Sequence, residues 1–466
     1  MKPYLTKPSF FGSAVLLLLI LRGTLNAVIP LMDKTEARYS EIARIMAETD
    51  NWVTPQIDYG APFWAKPPLS TWSTALSFKA FGVSEFTARL PYLLLSIVLV
   101  FMIGKYSKKR QLSFFLPGFI LLTLPEFLLH AGVVSTDMVL AFCVTLTMLS
   151  FWEAIQEKSA KYWKYLVFIG IGLGLLAKGP IIGILTIPPV LIWAVIHKKI
   201  SIIVLKISFM SGAFIALGIS MPWYFFAEMH TPGFIDYFII GEHFKRFFDS
   251  SWAGDKYGFP KSQPIGMIWA FLLAFCLPWL PVFIFKILKE RKYIFKNEWT
   301  SFLFLWFIWT PLFFTFSKSL IHPYIMPVMV PLALLITHWF ASFKRKVLLI
   351  KMALIIPMLS ITSLMLGIST GYFECNVPTD KYLIENNTRT DETIYYLNSK
   401  KYSSQFYSKG KIRNITVQGL EDAMDSENES FKIIIKNSHF DKISLYAQGK
   451  LQLLDKNQNK SIYKCF

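Results

Sequence analysis

Charge is scarce in this chain, and so are the residues that build the commonest soluble sites. Only 17% of the 466 residues are charged, and 30 acidic residues stand against 48 Lys and Arg. The four cysteines, Cys143, Cys276, Cys375 and Cys465, show no metal-ligand spacing, which removes cysteine-based metal folds from consideration. Histidines 230, 243 and 322 form no His-x-x-His or Glu-x-x-His array, so structural or hydrogen-bonding roles are expected of them. The polar C-terminal tail lacks a Gly-rich phosphate loop, and no internal repeat is evident. The first apolar run lacks a small-x-small cleavage site, so it reads as an uncleaved first span.

What is abundant is apolar surface. Hydrophobic residues make up 54% of the chain and aromatics 16%, a composition suited to a polytopic membrane protein. The formal net charge of +18 does not point to nucleic acid, because Lys and Arg sit in short loops between apolar runs. About eleven spans of near-bilayer length are expected, at approximately 11–31, 87–104, 111–127, 135–154, 163–177, 179–197, 202–226, 264–287, 299–316, 322–341 and 347–367. Alternate loops are then Lys/Arg-rich, which places them and the N-terminus in the cytoplasm. The opposite face carries outer loops 32–86 and 227–263 and, since the count is odd, the tail.

The predicted fold is an all-α transmembrane domain over residues 1–371 and a small periplasmic α/β or α+β domain over 372–466. The tail holds short β-like runs, Ile394–Leu397, Phe431–Ile435 and Leu451–Leu454. In an oxidising periplasm Cys375 and Cys465 become candidates for a disulfide, while Cys143 and Cys276 read as inert core thiols. Residues 36–48 and 69–82 are partly amphipathic. They form helices lying in the lipid interface or packed on the protein's own surface.

Candidate chemistry concentrates on the outer face. Asp33 and Glu36 begin a polar segment beside the first span, and Asp137 follows Ser135-Thr136 at the start of another. Each carboxylate suits a helix dipole, and each also suits orienting or deprotonating an acceptor. Ser135 or Thr136 is the expected N-cap. Lys66 precedes Pro67-Pro68, whose stiff backbone fixes its place. Together with Arg246 and Tyr324 it makes a candidate cradle for a lipid phosphate. Lys178, in Ala177-Lys178-Gly179-Pro180, suits either snorkelling or function.

Asp33-x-x-Glu36-x-Arg38-Tyr39-x-Glu41 resembles the first periplasmic loop of the aminoarabinose lipid A transferases and the wider protein O-mannosyltransferase-like family. Lys66-Pro67-Pro68-Leu69, Thr136-Asp137, the 172–180 segment, Glu242-His243-x-x-Arg246 and Tyr324-Ile325-x-Pro327 resemble the same family, in order along the chain. The resemblance implies a C-type membrane glycosyltransferase architecture and a polyprenyl-phosphate-linked sugar as donor. It implies that Lys66, Arg246 and Tyr324 hold the donor phosphate and that Asp33 and Asp137 line the reaction centre, with Glu36 a further catalytic candidate. Arg38, Tyr39, Lys178 and His243 are implied in support.

One departure stands out: many lipid A-directed relatives carry Glu before the Lys-Pro-Pro turn, where this chain has Ala65. Some members place a divalent metal near that Glu, so the metal requirement stays open. The expected activity is transfer of an amino sugar or hexose from a polyprenyl phosphate, such as undecaprenyl phosphate, to an envelope acceptor, foremost lipid A. The expected place is the periplasmic face of a bacterial inner membrane. Transfer to protein or another glycan, and transport of a lipid-linked substrate, are the competing readings.

Overall fold

The computed structural model describes residues 5–109, 111–249, 252–257, 262–388, 392, 394–426 and 430–465. Helices occupy each of the eleven expected intervals, but many are broken. Among the described residues, six are long and apolar enough to cross a membrane: Pro8–Val28, Glu85–Lys108, Thr136–Ala154, Phe209–His230, His322–Ser342 and Lys346–Ser369. Met267–Phe275 and Trp279–Ile294 make a seventh if counted as one span, bent by 110°. The break falls at Leu277-Pro278, where proline removes a backbone donor. The expected span at 111–127 is two short helices, Leu116–Leu122 and Pro125–His130. Glu85–Lys108 begins with a complete capping box between Ser84 and Thr87. Ser135 takes the N-cap position of Thr136–Ala154, yet its hydroxyl makes no cap bond and lies 3.2 Å from His130 Nδ1 instead.

Both amphipathic stretches are helices, Thr35–Thr49 and Leu69–Phe81. Thr35–Thr49 packs on the protein itself, because its charged face is buried along with its apolar one. Arg44 clamps fully buried Glu41 through two bonds of 2.7 and 2.8 Å, the paired state that burial of charge requires.

Two short strands, β1 (Gln56–Asp58) and β2 (Ala61–Pro62), form a hairpin after this helix. The C-terminal region contributes β3 (Ile394–Leu397), β4 (Ile412–Ile415), β5 (Lys432–Lys436), β6 (Leu451–Lys456) and β7 (Lys460–Cys465). They make one sheet in the order β4-β3-β5-β7-β6. β3 pairs in parallel with β4 and β5, and β7 runs antiparallel to β5 and β6. Strand alternation sends Ile433 and Ile435 to one small core and Ile434 to another on the opposite face.

The sheet region docks on the transmembrane region through polar contacts. Gln405 Nε2 donates to Asp58 Oδ1 at 2.9 Å, Lys400 Nζ lies 2.8 Å from Asp58 Oδ2, and Lys381 Nζ lies 2.5 Å from Glu85 Oε1. The Cys375–Cys465 disulfide is not formed. Cys375 O accepts from Gln458 N at the tip of the β6–β7 hairpin. Cys465 ends β7, roughly 17 Å away along the strand, well beyond the roughly 7 Å Cα separation a disulfide allows.

Candidate active site

Four segments distant in sequence converge on one hollow. Pro67 and Pro68 carry the chain from Lys66 into helix Leu69–Phe81. A π-helical segment, Asp236–Lys245, supplies Glu242 and His243 and runs into Arg246, and such wide turns recur at functional positions. Helix Tyr162–Lys178 ends at Lys178, and the 3₁₀ turn His322–Val328 carries Tyr324. The hollow they line encloses about 260 Å³, and its remaining wall is mostly apolar, including Leu140, Ile184 and Phe313.

Glu242 organises the cations. Its Oε2 accepts from Lys66 Nζ at 2.8 Å, and its Oε1 accepts from Arg246 Nη1 at 2.7 Å. Arg246 Nη2 also lies 3.2 Å from Asp255 Oδ2. Burial opposes ionisation of Glu242, but Lys66 and Arg246 outweigh it and hold the carboxyl at about 2. Burial likewise opposes the charge on Lys66 and on Arg246, yet Glu242 and the other acidic groups around them raise both above their ordinary values. The pair is therefore firmly cationic.

A second ion pair faces the same space. Lys178 Nζ donates to Asp137 Oδ1 at 2.5 Å and lies 4.3 Å from the centre of the Tyr324 ring, a cation–π placement. Gly179 has φ +77° and lies against other groups. A Cβ there would sit 2.7 Å from Phe238 Cζ and 3.1 Å from His243 Cε1. Only glycine fits both the backbone and the gap. His243 props this turn, with Nε2 3.1 Å from Lys178 O and Nδ1 2.8 Å from Phe238 O. Burial lowers its pKa.

Of the expected site residues, Lys66, Asp137, Lys178, His243, Arg246 and Tyr324 line this hollow. Asp33, Glu36, Arg38 and Tyr39 do not. Asp33 is held by the sheet region: its Oδ1 accepts from Ser403 N at 3.0 Å and its Oδ2 from Ser403 Oγ at 2.6 Å. Burial raises its pKa despite these bonds. Glu36 forms a two-pronged pair with Arg89, 2.8 Å at each oxygen, and Arg89 also ties Asn26 O and Pro30 O. That is a brace between the first span and the helix Thr35–Thr49. Arg38 donates to Tyr257 O at 2.6 Å and lies over the Tyr39, Phe63 and Tyr402 rings. Tyr39 packs edge-on against Phe63.

Glu242 is the residue that motif reading left without a role. Its signal was present: an acid four residues before Arg246, the spacing that pairs charges on a helical turn. The metal that the family resemblance allows near position 65 does not fit here. Ala65 has no ligand side chain, and its carbonyl accepts from Lys66 Nζ at 2.5 Å, so the place belongs to a fixed cation.

A profile of the dolichyl-phosphate-mannose-protein mannosyltransferase family matches residues 18–238. The undecaprenyl phosphate-α-4-amino-4-deoxy-L-arabinose arabinosyl transferase 1 of Proteus mirabilis is 29% identical over 325 residues, 67% of this chain and 56% of that protein. The corresponding transferase 2 of Pseudomonas fluorescens Pf0-1 is 27% identical over 348 residues, 72% of this chain and 60% of that protein. The chain thus spans little more than half the length of these curated relatives. In fold it is similar to ArnT from Cupriavidus metallidurans crystallised with undecaprenyl phosphate, at TM-score 0.75 and 16% identity over 98% of both chains. The apo form of that protein gives 0.74 and 14%. The motif resemblance is borne out: this is a multi-pass membrane protein resembling the ArnT and mannosyltransferase type of glycosyltransferase, in a C-type architecture with a C-terminal sheet.

Proposed function

We propose that the chain transfers a sugar from a polyprenyl phosphate to an envelope acceptor at the periplasmic face of a bacterial inner membrane. The observation that carries this reading is one hollow in which Lys66 and Arg246 pair with Glu242, and Tyr324 lines the same space beside a mostly apolar wall. A phosphate on a long isoprenoid needs that combination of fixed cations for the head and greasy walls for the first tail units.

In the proposed reaction an acceptor oxygen attacks the anomeric carbon as its bond to the phosphate oxygen breaks. The electron pair leaves with polyprenyl phosphate, whose charge is spread over oxygens faced by Lys66 and Arg246. Tyr324 adds a hydroxyl to the phosphate cradle. Configuration inverts in one displacement.

The acceptor is proposed to be an anion, such as a lipid A phosphate, rather than a hydroxyl group. Both carboxylates lining the hollow are already engaged, Glu242 by Lys66 and Arg246 and Asp137 by Lys178. Asp33 is engaged by Ser403. An ionised phosphate oxygen carries no proton to remove, so it needs none of them as base. Asp137 and Lys178 are proposed to position the sugar.

The test is transfer from undecaprenyl-phosphate-linked aminoarabinose to lipid A in proteoliposomes, with Lys66→Ala and Arg246→Ala beside wild type. Loss of transfer in both, with folding intact, supports the reading. Wild-type turnover in both removes this hollow from the chemistry. A protein-linked product in place of modified lipid A would reassign the acceptor.

A further inference from the structure

Behind Tyr324, and outside the lining of the hollow, lies a cluster that the sugar-transfer reading does not use. We propose that Glu126, His130 and His322 form a binding site for a divalent transition-metal ion of the zinc class. Glu126 and His130 are four residues apart, near and at the two ends of the short helix Pro125–His130. His322 comes from the turn that carries Tyr324, almost two hundred residues later. One ligand atom from each lies within 4.8 Å of the others.

The geometry is close to that of a ligand set. His322 Nδ1 lies 2.8 Å from Glu126 Oε1, and His130 Nε2 lies 3.0 Å from the same oxygen. Ligand atoms around a tetrahedral zinc are about 3.4 Å apart when each bond is about 2.1 Å; the two carboxylate–imidazole contacts fall about 0.5 Å short of that spacing, and the two imidazole nitrogens lie within 4.8 Å of each other. Two imidazoles and a carboxylate are a recurrent three-ligand zinc set with a fourth position for water.

Three further observations separate this cluster from an ordinary buried ion pair. His130 Nε2 is buried 3.0 Å from Glu126 Oε1, in a contact poorly aligned for a hydrogen bond. Its polar contact is thus the carboxylate with which it would share an ion. The other ring nitrogen of His130 is occupied by Ser135 Oγ at 3.2 Å, the outer-shell contact that fixes a metal-binding imidazole. The ring of His322 is stacked on Phe275, 4.7 Å between centres and 14° between planes. Glu126 and His130 are buried, while the His322 side chain is 37% exposed, which gives an ion a way in.

Cys276 follows Phe275 but is not one of the cluster's ligands; its Sγ faces Met329 Sδ at 3.9 Å. An ion here ties the helix Pro125–His130 to the turn that presents Tyr324. Its role is to hold the phosphate cradle in place, at a position distinct from residue 65.

The test is metal binding by the full chain in detergent, stripped with chelator and titrated with Zn²⁺ and with Co²⁺ as a spectroscopic probe. One tight Zn²⁺ per chain is expected, with Co²⁺ visible absorption of low-coordinate character. His322→Asn lies on a partly exposed turn, which spares folding. It should weaken binding by more than the roughly 100-fold that loss of an outer-shell partner costs. His130→Asn and Glu126→Gln should do the same, and Cys276→Ser should leave binding unchanged. No stoichiometric Zn²⁺, or equal affinity in wild type and His322→Asn, overturns the proposal. The readout is the ion rather than transfer, so failure here leaves the sugar-transfer reading standing.

Discussion

Replacing Glu242 by Gln tests the electrostatic design of the hollow directly. The carboxyl sits between Lys66 and Arg246 at 2.8 and 2.7 Å, with 3% of its side chain exposed. A fall from the ordinary 4.5 to about 2 means that pairing favours the ionised form by about 3 kcal/mol. Breaking a buried pair from one side costs a similar amount, about 3 to 5 kcal/mol. Arg246 keeps Asp255 as a partner, which places the expectation at the lower end. Because the folded value is depressed, this contribution is complete above pH 4.5 and is lost as pH falls from there through about 2. In Glu242→Gln the loss is present at neutral pH, and that part of the acid decline disappears.

A phosphate head can take the place of the missing carboxylate. Undecaprenyl phosphate should therefore raise the Tm of Glu242→Gln by more than it raises that of wild type. The assay is thermal unfolding in detergent by intrinsic fluorescence, with and without undecaprenyl phosphate, between pH 3 and 8. An unchanged neutral-pH Tm for the variant, or a smaller lipid-induced rise than in wild type, would refute the argument that Glu242 holds the place of the phosphate.

Lys66→Ala should lower sugar transfer by about 100-fold or more, the cost of removing one aimed donor from a developing anion; a radiolabelled-donor assay reads this. Gly179→Ala introduces a methyl 2.7 Å from the Phe238 ring at φ +77°. It should cost roughly 2 kcal/mol and displace Lys178, seen as a lowered Tm together with reduced transfer. Asp33 has a raised folded-state pKa, so its contribution favours folding below its ordinary 3.8 and is lost as pH rises through the folded value. Asp33→Asn should therefore keep its stability at pH 7 and flatten that part of the Tm–pH profile. Transfer within about tenfold of wild type is expected for an anchor to Ser403, whereas a loss of 100-fold or more at unchanged Tm would make Asp33 catalytic. Glu36→Gln should destabilise by about 3 kcal/mol through the buried Arg89 pair, read by thermal unfolding.

The fold was legible wherever one physical rule dominated. Apolar runs of bilayer length located the helices, and short runs rich in β-branched, aromatic and aliphatic residues found β3, β5 and β6. What one chain's pattern does not encode is where helices break. Thr123 and Leu277-Pro278 interrupt apolar runs that read as continuous. β4 and β7 carry Arg413, Asn414 and Lys464, too polar for alternation to single out. At the site, motif position brought together the cations but could not distinguish a carboxylate lining the hollow from one bracing the scaffold. Asp33 and Glu36 read as well as Asp137 does. Their partners Ser403 and Arg89 lie 370 and 53 residues away, and no local spacing announces contacts of that range. The disulfide failed for the same reason: the expectation of an oxidising compartment says nothing about Cys375 lying by the tip of the β6–β7 hairpin while Cys465 sits at the far end of β7.

The charge balance of the hollow bears on how the proposed transferase would discriminate. Three cations, Lys66, Lys178 and Arg246, face two carboxylates, Asp137 and Glu242. Cations left unpaired in so apolar a cavity would bind any lipid phosphate, and membranes supply these in excess. Pairing each cation beforehand means that a phosphate binds only by exchanging for a carboxylate already in place, so its Coulombic gain is a difference rather than a total. On the proposed reading the remainder comes from groups that recognise the rest of the donor, the isoprenoid against Leu140, Ile184 and Phe313 and the sugar against Asp137 and Lys178. Selectivity in this arrangement arises because the strongest charges are the ones most fully compensated before substrate arrives.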